Sequence, residues 1–257
     1  TEHGSEITTN NVASNATPFA IVVNALADGP DVSLAAATVT NEDTAVAFGQ
    51  NIDYALRDGS DGSEHITSVT IADIPTDWVI TVPPGLDATV TVDGSGNYVI
   101  TSINADLAAA ETEIRAALDA LTILPPADRH EDGALTITVT TTDINGNTAD
   151  TTISQSVTVQ AVTDKPVAND ASTTSPEDPA AAIAFGTDIL VMPHDTDGSQ
   201  DLSVSLAGIP SWITPAWTDV VGVTVTSTTV AGFTTLVIAG ADAALVMQVV
   251  HSVTGTP

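Results

Sequence analysis

Two short stretches of the chain concentrate the side chains most able to do chemistry. Arg57 to Ile66 reads RDGSDGSEHI, and His194 to Leu202 reads HDTDGSQDL. Each sets three carboxylates on a glycine-bearing loop: Asp58, Asp61 and Glu64 in the first, and Asp195, Asp197 and Asp201 in the second. Calcium takes roughly six to eight hard oxygen ligands in flexible geometry, which carboxylates and carbonyls on such loops supply. The spacing is not that of an EF-hand, which needs ligands at alternate loop positions and flanking helices. One Asp-Gly pair alone reads as a solvated turn. The recurrence of the cluster favours calcium.

Further acidic groups lie at the edges of the same segments: Asp28, Glu42 with Asp43, Asp128, Asp132, Asp143 beside Asn145, Asp164, and Glu177 with Asp178. An ion held between two consecutive β domains needs one carboxylate from the linker and others from adjacent loops. Asp164 is followed 13 positions later by Glu177, and Asp28 by Glu42 at nearly the same interval. All of these join the predicted ligand set, with calcium as the expected cofactor. Pro30 and Pro166 restrict the two linkers.

Charge and composition bound the alternatives. With 33 acidic against 4 basic residues the formal net charge is −29. Such a surface repels nucleic acid and anionic membranes and favours cations. Yet 43% of residues are hydrophobic and the mean hydropathy is +0.23, enough to support folded cores. No cysteine is present, which excludes disulfides and thiolate metal sites. The longest apolar runs fall short of the ~20 residues that cross a bilayer.

Catalysis finds little support. There is no G-x-S-x-G elbow and no H-E-x-x-H pair, and the five histidines read as scattered surface residues. Carboxylates that recur in each segment look structural more than glycosidic. The expectation is therefore a protein that is not an enzyme. Trp78 and Trp212 each follow an Ile-Pro dipeptide and are expected at equivalent core corners. Trp217 has no counterpart and is the candidate for a sugar-facing surface.

The elements that must position these groups show an internal period of about 136 residues. Asp28-Gly29-Pro30 recurs as Asp164-Lys165-Pro166, NEDTAVAFGQNI from Asn41 as PEDPAAAIAFGTDI from Pro176, and SDGSEHITSVTIADIP from Ser60 as TDGSQDLSVSLAGIP from Thr196. The layout read from these landmarks is 1–27 as the end of a preceding unit or a linker, 28–164 as a complete repeat, and 165–257 as an incomplete or split one. Within the full unit the hydrophobic period is two, as in ALTITVTT and SQSVTVQAV, the mark of half-buried strands. Asp93-Gly94, Asp132-Gly133 and Asn145-Gly146 supply turn chemistry. NADLAAAETEIRAALDAL breaks the pattern, placing Leu107, Ile114, Leu118 and Leu121 on one helical face behind Asn104 as N-cap. The expected fold is all-β: tandem Ig-like or cadherin-like sandwiches with a short helix inserted in each unit.

In combination, the D-x-P linker, the EDT-type strand start, the D-x-x-D-G-S-E loop, IRAALDAL followed by TILPPAD, and GALTITVTTTD resemble the bacterial cadherin-like and Ig-like extender repeats of giant RTX adhesins. The similarity covers most of residues 28–257. It implies type I export, an extracellular place on the bacterial surface, calcium-rigidified sandwiches and a role in adhesion or biofilm formation. The expected partners are neighbouring repeats of a monomeric chain and, in a ligand-binding alternative, a glycan; a split unit hosting an inserted binding domain is the other form of that alternative. Gln200 stands where Glu64 does and Pro179 where Thr44 does, departures that should weaken the second site.

Overall fold

The structure, a computed structural model, describes residues 24–57, 59, 62–174, 182–195 and 197–257. The 1–27 segment expected to end a preceding unit lies almost wholly outside that range, as do Asp58, Asp61, Glu177 and Asp178.

Eleven strands and one helix make up the first region: β1 (Asp31–Leu34), β2 (Thr38–Asn41), β3 (Val46–Ala47), β4 (Ile52–Ala55), β5 (Glu64–Ala72), β6 (Val79–Thr81), β7 (Thr89–Val92), β8 (Tyr98–Thr101), α1 (Leu107–Ala120), β9 (Thr122–Leu124), β10 (Gly133–Asp143) and β11 (Thr148–Gln160). A six-stranded sheet in the order β2-β11-β10-β5-β8-β7 faces a three-stranded one, β3-β9-β6, and β1 pairs with β4. The pairs are antiparallel except for β2 with β11. The period-two pattern dictates this. Leu135, Ile137 and Val139 turn inward from β10 against Ile71 and Val69 of β5, and all five are fully buried.

The second region has fewer strands: β12 (Val167–Ala168), β13 (Ile183–Ala184), β14 (Val191–Met192), β15 (Leu202–Pro210), β16 (Thr214–Ala216), β17 (Val223–Val230), β18 (Phe233–Gly240), α2 (Ala243–Ser252) and β19 (Thr254–Thr256). Its sheets run β15-β18-β17, β13-β19-β16 and β12-β14. It builds a separate hydrophobic cluster around Leu236, Ile238, Val246 and Val250. The described chain is thus an all-β sandwich fold with two short helices. None of its helices is long and apolar enough to cross a membrane.

Helix α1 starts two residues later than the sequence suggests. Asp106, not Asn104, caps it, accepting from the Ala108 and Ala109 N–H groups, while Asn104 accepts from the Asp106 N–H and donates to Glu113. Leu107 is consequently exposed, and Ile114, Leu118 and Leu121 carry the packing. Asp242 caps α2 in the same manner. Glycine is required where each helix meets its sheet: a methyl on Gly49 would strike the Leu118 carbonyl, and one on Gly186 the Val250 carbonyl. Gly133 marks no turn. It opens β10, where a methyl would stand 2.7 Å from the Trp78 ring.

Trp78 takes its expected core corner, while Trp212 and Trp217 exchange their expected places. Trp78 is buried and donates its backbone N–H to Pro75; the residue that donates to Pro210 is Ile213, buried at the matching corner. Trp212 falls one position earlier and is 65% exposed. Trp217 is half-buried against the second cluster, its indole N–H donating to Asp219.

Candidate metal centre

The acidic residues gather at two places, at opposite ends of β11. At the first, Glu64 opens β5 and Asp143 closes β10, so the ladder sets them directly opposite each other. Glu64 is 5% exposed; its Oε1 accepts the Asp28 N–H at 2.6 Å and its Oε2 is buried without a partner. Thr141 donates to the Asp28 carbonyl, which fixes the linker on the strand end. Asp143 folds the turn after β10, accepting from the N–H groups of Asn145 and Asn147 and from the Asn147 amide. That amide, working against burial and joined by the backbone donors, holds the Asp143 carboxyl below its ordinary value.

The second place gathers more charge. Glu42 directly follows β2 and is almost fully enclosed. Its Oε1 accepts the Val162 N–H at 2.5 Å and its Oε2 has no partner. From the second region, Gln200 donates its amide to the carbonyl of the same Val162 at 2.9 Å, so one linker residue is gripped from both sides. Asp195 is likewise buried; Oδ2 accepts from the Ser199 hydroxyl and Oδ1 has no partner. Oxygen and nitrogen atoms of Asp128, Asp164 and His194 come within 4.8 Å of one another, a geometry that could hold a metal ion.

Electrostatics register this crowding. Burial, reinforced by Asp195, Asp197 and Asp43 and opposed by the Val162 N–H, raises the Glu42 carboxyl above its usual range. Burial, together with Asp128, Asp164 and Asp195, does the same to Asp43. Asp197 moves the other way: burial would raise it, but hydrogen bonds from the His130 ring, from Ser199 and from the His130 N–H outweigh that and hold it far down. Two histidines bridge the regions reciprocally, His130 Nδ1 to Asp197 at 2.5 Å and His194 Nδ1 to Asp128 at 2.7 Å. Hydrogen bonding to those carboxylates raises both imidazoles above their ordinary value.

Glu42, Asp43, Asp128, Asp164, Asp195 and Asp197 therefore converge, and Asp28, Glu64 and Asp143 form a second group. The interval pairing Asp28 with Glu42 does not hold. Glu42 meets the linker at Val162, because β2 runs parallel to the end of β11. Asp132 is occupied elsewhere, accepting the Val159 N–H, and Asp201 is exposed just before β15. His130 and His194 lie on the surface, as expected, but are not scattered: each bonds a carboxylate of the other region. The available signal was the period itself, which puts His194 at the position of Asp58.

No protein-family model matches this chain, and a comparison with curated proteins returns no match.

Proposed function

We propose that the chain is a calcium-stabilised, non-catalytic structural module that stiffens and projects a ligand-binding region of an extracellular bacterial adhesin. One observation carries the calcium reading. Glu42 Oε2 and Asp195 Oδ1 are buried carboxylate oxygens without hydrogen-bond partners, in a cluster that Asp43, Asp128, Asp164 and Asp197 also charge. A buried carboxylate left unpaired is costly, and like charges add to the cost. A hard cation with oxygen preference relieves both. Because the cluster joins side chains of both regions to the linker residues Val162 and Asp164, an ion there would lock the joint. The adhesin setting rests on the resemblance of the D-x-P linker and D-x-x-D-G-S-E loop to extender repeats.

Small-angle scattering and melting curves in calcium and in chelator test this. Calcium should extend and narrow the particle and raise the midpoint; unchanged curves would sink the proposal. A second reading, a glycan-binding module, draws on Trp212, whose exposed ring could stack on a sugar. Glycan-array hits lost in Trp212→Ala would favour it.

A further inference from the structure

The two long sheets differ at one edge. In the first region β5 is an interior strand, paired with β8 on one side and β10 on the other. In the second, β15 pairs with β18 on one side, and its other edge has no strand partner among the described residues. The correspondence is residue by residue: Val69 faces Ile100 as Val204 faces Ile238, and the left-handed Asp73 before Ile74-Pro75 matches the left-handed Gly208 before Ile209-Pro210. The open edge of β15 is thus the edge that β10 covers on β5.

Three features mark this edge as one made to be covered. LSVSLAGIP has no charged residue, where an exposed strand edge is ordinarily guarded by lysine or an inward charge. Its shift in register comes only after Leu206, leaving Leu202 to Leu206 regular. The core beside it also lacks a wall. Leu135, Ile137, Val139, Val157 and Val159 of β10 and β11 are buried members of the first cluster, whereas Leu206, Val223 and Val225 of the second remain only half-buried. Trp212 fits the same account, since its counterpart Asp77 is covered by Arg129 from the loop leading into β10, at 2.5 Å.

We infer that the outer edge of β15 is a docking site for a β-hairpin of the β10–β11 kind, supplied by a partner polypeptide and entering antiparallel to β15. Backbone hydrogen bonds along the edge give the affinity, and inward residues at every second position fill the uncovered core. This does not depend on calcium.

The test uses the full 257-residue chain and a synthetic peptide of residues 133–160. Saturable binding should slow amide exchange in β15 about tenfold or more and leave β5 unchanged, and a scrambled peptide should do neither. Because the chain has no cysteine, register can be read directly. Thr70 pairs with Thr138 in the first region, so Ser205→Cys should form a disulfide with a Thr138→Cys peptide, while Ser227→Cys on β17 should not. Unchanged exchange in β15, equal cross-linking at both positions, or β15 already protected in a dimer of the chain would each overturn the inference.

Discussion

Glu64 and Gln200 occupy matching places at the head of β5 and just before β15, and they hold their linkers by opposite chemistry. Glu64 accepts the Asp28 N–H, while Gln200 donates to the Val162 carbonyl. The acceptor role at the second linker passes to Glu42, which takes the Val162 N–H from the first region's side. One loop thus holds its linker with its own charge. The other is neutral at that position and relies on a carboxylate lent across the joint, so under the proposed function the second joint is the more dependent on an ion.

The largest effect should come from the glycines beneath the two helices. Gly49→Ala forces a methyl into the Leu118 carbonyl and Gly186→Ala into that of Val250, each expected to cost about 3 kcal/mol by overpacking. Hydrogen exchange should show Gly49→Ala loosening β3 and α1, and Gly186→Ala loosening β13 and α2; loosening of both regions by either variant would break the comparison. Next comes Glu42→Gln, which keeps an acceptor for Val162 but removes the charge. In chelator it should melt higher than the parent, and at calcium ten times the dissociation constant it should lack the roughly 1.4 kcal/mol the parent gains.

Gln200→Glu sharpens the contrast from the other side. It trades a donor to Val162 for one more negative charge, so calcium should bind more tightly, while stability in chelator falls by about 1 kcal/mol, the worth of a typical hydrogen bond. The smallest effect lies far from either joint. Asp93 caps the turn between β7 and β8, where hydrogen bonds from the N–H groups of Asn97 and Ser95 and from the Asn97 amide hold its carboxyl below the ordinary value. A lowered pKa means a contribution that is complete above the unfolded value near pH 4 and lost as pH falls through the folded one. Asp93→Asn should remove that small acid-side slope, lowering the melting midpoint slightly at neutral pH and leaving it nearly unchanged below the folded pKa.

The sequence made the strands and one helix legible because their signals are local: alternation in ALTITVTT, an apolar stripe from Ile114 to Leu121, turn residues between them. It misjudged what depends on distance. Asn104 and Asp106 are both competent caps, and the backbone path chose the second. Ile213 took the buried corner because Trp212 follows Pro210 by two residues where Trp78 follows Pro75 by three. Most carboxylates of the joint were identifiable by type, but Glu42 could not be assigned to the correct linker without the parallel pairing of β2 with β11. The histidine bridges between Asp128, His194, His130 and Asp197 were hidden because neither partner is near the other in sequence.

Calorimetric titration of the chelated chain with calcium, run in parallel on Glu42→Gln, addresses the central claim most directly. The account expects saturable binding by the parent and loss or at least tenfold weakening of one site in the variant. Identical isotherms, or no binding by the parent, would contradict it.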